Sequence, residues 1–141
     1  LPLADILTPN LPEAAVLLGG EVGPGLEAAL EAARALKEMG AGAVLLKGGH
    51  GTGEDSEDLY YDGEEALRLP APRLRTTSDH GTGCTLAAAL TAWLARGVGK
   101  AEAARRAKAF VTEAIRTARP LGHGHGPLHH FHEYYGSEGL P

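Results

Sequence analysis

Four consecutive apolar residues, Ala43-Val44-Leu45-Leu46, stand between an amphipathic repeat and a glycine-rich segment, and this order constrains the fold more than any other feature of the chain. A short run without polar alternation suits a strand buried on both faces, as in a parallel sheet covered by helices. Ahead of it, Leu26, Ala29, Leu30, Ala33 and Leu36 recur at helical spacing until Gly40 and Gly42 stop the pattern. Further upstream, Asp5 to Thr8 predicts a short strand, and Leu11 to Leu18 a short helix ended by Gly19-Gly20. Strand, helices and strand in that order make a β-α-β style unit, and the class is α/β.

Downstream, Leu59-Tyr60-Tyr61, Asp62-Gly63 and Ala66 to Leu69 predict a hairpin, because Asp-Gly accepts the positive φ of a tight turn, and Pro70 and Pro72 end it. Residues 84 to 95 and 100 to 118 predict two alanine-rich helices packed on the sheet. Between them, Gly97-Val98-Gly99-Lys100 lacks the earlier glycine and the following Ser or Thr of a P-loop, and reads as an interhelix turn. The tail from Gly122 to Pro127, with His129, His130 and His132 after it, reads as irregular; flexible imidazoles of this kind are not a metal site of fixed ligand number.

A chain of 141 residues is long enough for one core. The formal charge of -5 argues against nucleic acid or anionic membrane as a general partner. The basic run Arg105, Arg106 and Lys108 alternates with alanines and reads as a solvated helix face. One cysteine, Cys84, forms no internal disulfide, and the N-terminus lacks a secretion pattern, so the expected address is cytoplasmic. Scarcity of Gln, Asn, Met and Cys resembles thermophile composition, although high G+C coding bias produces the same picture. The chain opens on Leu1-Pro2-Leu3 without Met, and its first residues already read like a core element, so it is expected to be a fragment.

The segment Asp79-His80-Gly81-Thr82-Gly83-Cys84-Thr85 leads directly into a helix. Its glycines let the backbone turn tightly, so amide N–H groups converge at the positive end of the helix dipole, where an anion is favoured. A plain glycine-rich loop before a helix has the same letters. Cys84 falls in the first helical turn, where the dipole favours a thiolate able to accept a proton from a substrate hydroxyl; the competing reading is a small buried hydrophobe. Asn10 and Glu13 are spaced as a capping box. Lys47 leaves the carboxyl end of the buried strand, where open α/β sheets bind ligands, or else snorkels there as an ordinary lysine.

The run His80-Gly81-Thr82-Gly83-Cys84-Thr85-Leu86 resembles the signature of hydroxymethylpyrimidine/phosphomethylpyrimidine kinases of thiamine biosynthesis, members of the ribokinase-like superfamily. Thr8 to Glu13, Lys47-Gly48-Gly49-His50 and Gly122 to Pro127 resemble the same family in the same order. The resemblance implies the C-terminal half of a three-layer α/β/α fold with a mostly parallel sheet and a hairpin. Residues 1–141 are then the nucleotide-binding part of a single kinase domain whose N-terminal half is absent. It implies an anion hole from Gly81, Thr82, Gly83 and Cys84, with Cys84 in the catalytic-base position. ATP is expected against Lys47, His80 and Thr82, and Mg²⁺ near Asn10 and Glu13 through water, which suits an ion slow to dehydrate. The chain departs from the family at Asp79, where Thr is expected, and at His129, where Asn is common.

The implied reaction is ATP-dependent phosphorylation of 4-amino-5-hydroxymethyl-2-methylpyrimidine and then of its monophosphate. Two other readings stand beside it: a noncatalytic nucleotide- or phosphate-binding fragment or subunit completed by a partner chain, and a pyridoxal kinase-like relative. The expected partners are the aminopyrimidine substrate and the absent half or a partner chain, with a homodimer left open.

Overall fold

A computed structural model describes residues 1–48 and 56–135. The chain divides into two compact units, Leu1–Arg73 and Leu74–Pro141.

In the first unit, α1 (Leu11–Leu18) begins where Asn10 caps it and ends where Gly19 turns left-handed at φ 68°. The second helix, α2 (Leu26–Glu38), buries Ala32, Ala33 and Leu36, the predicted apolar stripe. The strands β1 (Val44–Leu46), β2 (Asp58–Tyr61) and β3 (Ala66–Leu69) form one sheet in the order β1-β2-β3. Val44 faces Tyr61 across the first pair, and Tyr60 faces Leu67 across the second.

Both of these pairings are antiparallel. The parallel component among the described residues consists of isolated bridges, Leu7 to Val44 and Asn10 to Lys47 in this unit and His80 to Pro127 in the other. The segment predicted as a strand at Asp5 to Thr8 thus follows β1 in the parallel sense while forming only single bridges. The β-α-β connection is present, with α1 and α2 in the crossover. A buried apolar run constrains burial but not the direction of its neighbours, and β1 is buried along its whole length while serving both.

Val44 and Leu46 join Leu36, Ala32, Ala33 and Leu59 in the core of this unit. The hairpin turn is held by Asp62, whose Oδ1 accepts from Glu64 N at 2.9 Å and Glu65 N at 2.8 Å, while Gly63 takes φ 105°. These amide bonds hold the Asp62 carboxyl below its usual range. Tyr60 is completely buried, with its hydroxyl donating to Asp62 Oδ2 at 3.0 Å. Burial first, and the adjacent carboxylate second, push the Tyr60 hydroxyl well above its usual range, so it stays a neutral donor.

In the second unit, α3 (Thr82–Ala95) and α4 (Lys100–Arg116) are joined by the predicted turn, with Gly97 at φ 80°. They pack through Leu86 and Leu90 on α3 and alanines 103, 104 and 107 with Val111 on α4. Small side chains let two helices approach closely, which explains a core nearly free of aromatics. The basic run of α4 is occupied at the surface: Arg106 Nε donates to Glu102 at 2.8 Å, and its guanidinium lies 4.7 Å from the Trp93 ring centroid. The tail is not wholly irregular, since His132–Tyr135 forms one helical turn, α5. The His132 ring lies tilted against Phe110 at 4.8 Å between centroids, an anchor between positions too far apart in the chain for periodicity to reveal.

Candidate functional site

The predicted site residues fall into two clusters, one in each unit. In Leu1–Arg73, the capping box is complete: Asn10 Oδ1 accepts from Glu13 N at 2.7 Å, and Glu13 Oε2 accepts from Asn10 N at 2.8 Å. Lys47 N donates to Pro9 O at 2.8 Å, which seats the end of β1 beside the start of α1. This brings Lys47 Nζ within 3.7 Å of Glu13 Oε2. The lysine side chain is 21% exposed and the glutamate 56%, so the ion pair is solvent-screened and the ammonium retains its attraction for other anions.

Asn10, Glu13 and Lys47 thus meet at one point although β1 and α1 are separated in sequence by all of α2. The donor set is one amide and one carboxylate, and among the described residues no group of three or more His, Cys, Asp or Glu is placed to hold a metal ion. Such a set fits a hydrated Mg²⁺ ligated chiefly by water and phosphate, and does not fit an all-protein cage.

Directly after Lys47, Gly48 N donates to Asp58 Oδ1 at 3.0 Å; Asp58 itself is buried. Gly48 has no room for a side chain, because a Cβ would stand 1.8 Å from the Glu57 carbonyl oxygen. Gly49 and His50 of the predicted motif lie outside the described residues.

In Leu74–Pro141, Gly81 caps α3 with φ 84° and ψ 9°. No atom lies within 4 Å of where its Cβ would be, so the turn is open and only its backbone conformation demands glycine. The Gly81 carbonyl accepts from both the Thr85 amide and the Thr85 hydroxyl, each at 2.9 Å. Thr82 Oγ1 donates to Asp79 O at 2.7 Å, which leaves that hydroxyl only lone pairs to offer a ligand. The Gly83 and Cys84 amides fall in the first turn of α3, where a helix provides no carbonyl partner. The structure therefore presents two adjacent donors at the positive end of a 14-residue helix.

Cys84 is exposed, contrary to the buried-hydrophobe reading of a lone cysteine. It lines a cleft of about 540 Å³ together with Ala88, Ala92, Trp93, Phe110, His130 and Glu133. At its rim, Thr85 Oγ1 and His130 Nε2 are 3.0 Å apart. Because the Thr85 hydrogen goes to Gly81, His130 must carry a hydrogen on Nε2. His80 is exposed and contributes its backbone, with its amide donating to Gly126 O at 3.1 Å. Sequence reasoning missed Thr85 and His130, since their pairing joins positions 45 residues apart.

Residues 1–129 match the family model described as phosphomethylpyrimidine kinase. The chain belongs to that family. It is 48% identical over 137 residues to the hydroxymethylpyrimidine/phosphomethylpyrimidine kinase of Rhizobium meliloti, a match that covers 96% of this chain and 52% of that protein. It is 49% identical over 129 residues to the thiamine biosynthesis bifunctional protein ThiED of Geobacter sulfurreducens, covering 92% of the chain and 26% of the relative. The solved ADP complex of Bacillus subtilis pyridoxal kinase superimposes with a TM-score of 0.86 at 40% identity, covering 92% of this chain and 51% of that one. The α/β, ribokinase-like expectation is thereby borne out, and the chain spans about half the length of the single-function curated kinases it matches. Among the described residues no helix is long and apolar enough to cross a membrane.

Proposed function

We propose that this chain supplies the nucleotide- and phosphate-holding half of an ATP-dependent kinase acting on 4-amino-5-hydroxymethyl-2-methylpyrimidine and its monophosphate, in the cytoplasm. The observation that carries this reading is the open glycine turn at the head of α3, with two unpartnered amides and an exposed cysteine at its third helical position. Oxygens of the transferred phosphoryl group accept from the Gly83 and Cys84 amides, and Gly81 and Thr82 shape the turn that aims them. Lys47 and His80 are each assigned to nucleotide binding, Lys47 by charge. Asn10 and Glu13 hold the water shell of Mg²⁺, which supplies charge neutralisation along the polyphosphate.

In the first transfer Cys84 serves as the base that takes the hydroxymethyl proton. The alcohol oxygen bonds to the γ-phosphorus as the bond to the β-phosphate oxygen breaks, and ADP departs. In the second transfer the acceptor is already anionic, so the turn and Lys47 carry the burden. The likeness to pyridoxal kinase supports a second acceptor class, a pyridine alcohol, on the same half-site.

Calorimetry with Mg-ATP, run beside a coupled assay offering each acceptor in turn, tests the proposal. Micromolar to millimolar binding is expected, and turnover on the aminopyrimidine should exceed that on pyridoxal once an acceptor-binding half is supplied. Binding without turnover even then would favour a noncatalytic module, and absence of binding would remove the reading altogether.

A further inference from the structure

The phosphoryl transfer just described leaves the histidine-rich tail without a role, yet the fold ties that tail to the turn. Gly126 N donates to Thr77 O at 2.8 Å, and Gly126 O accepts from His80 N at 3.1 Å, so the tail runs parallel beside the turn with His80 bridged to Pro127. The approach is close: a Cβ on Gly126 would stand 3.0 Å from the oxygen of Ser78, which is completely buried.

This alignment sets His125 Nδ1 at 2.6 Å from Asp79 Oδ1. A carboxylate only accepts, so Nδ1 carries the hydrogen. Asp79 lies two residues before the cap of α3, and its carbonyl holds the Thr82 hydroxyl. Two residues before the cap, its carboxylate is close enough in sequence to feel the positive end of α3. An uncompensated carboxylate there competes for the dipole and repels an incoming anion.

We propose that His125 is a positioning residue of the anion turn: its Nδ1–H holds the Asp79 carboxylate, so that a polyphosphate rather than Asp79 takes the head of α3. This inference rests on the anion-turn reading of Gly81 to Cys84. The His125 side chain is 74% exposed and that of Asp79 49%, so solvent screening limits the effect to a few-fold in affinity, and substitution of either is compatible with folding.

The test is calorimetric titration of inorganic pyrophosphate into the whole chain at low ionic strength. His125→Gln is expected to weaken binding about three- to fivefold, whereas Asp79→Asn leaves it equal or tighter. The double variant is expected to return to within about twofold of wild type, the non-additivity of a coupled pair. A merely structural tail leaves the double variant as weak as His125→Gln or weaker; that result, or an unchanged affinity in His125→Gln, overturns the proposal alone. A wild-type chain that binds no pyrophosphate overturns the anion-turn reading and this inference together.

Discussion

Gly48→Ala is expected to lower the stability of the Leu1–Arg73 unit by about 3 kcal/mol, at the upper end of overpacking costs. The added methyl would sit 1.8 Å from the Glu57 carbonyl oxygen. Main chain cannot rotate aside like a flexible side chain, so the backbone at Gly48 or at Glu57 must move. Movement breaks the bond from Gly48 N to Asp58, leaving a buried carboxylate short of a donor. It also shifts Lys47, the preceding residue, and weakens nucleotide binding with the same substitution. Gly20→Ala is the control, since nothing lies within 4 Å of its Cβ position and its φ is not positive. Unfolding free energies from denaturant titration of the two variants should differ by most of the roughly 3 kcal/mol; equal values would show that the close approach at Gly48 is not a constraint.

Cys84→Ala, in a kinase with its acceptor pocket complete, should reduce phosphorylation of the hydroxymethyl substrate by about 10²- to 10⁴-fold, the usual worth of a positioned general base. Phosphorylation of the monophosphate should fall by less than about tenfold, because that acceptor has no proton to lose before attack. Alanine preserves the backbone amide at position 84, so the anion turn is retained and the two steps separate cleanly. Initial rates measured with each acceptor check this. Equal losses would assign Cys84 to binding or packing and leave the base unidentified.

The elements whose signal is local were legible in the sequence. The apolar spacing of α2, the glycines after α1 and the Asp-Gly of the hairpin each act within a few residues, and the folded elements begin and end near them. Exposure of Cys84 was not legible, because residue type favours burial and only the open turn leaves the thiol exposed on a cleft wall. The bridge that seats Lys47 beside Asn10, and the pairing of His125 with Asp79, join residues far apart in the chain, and no periodicity encodes them. The β1 run announced its burial, whereas the antiparallel ladder with β2 depends on the hairpin folding back beside it.

Backbone amide NMR during titration with Mg-ATP tests the central claim most directly. If phosphate is received by the head of α3, the Gly83 and Cys84 amide protons should move downfield together and saturate with a single dissociation constant. Shifts that saturate elsewhere while those two amides stay unmoved would contradict it.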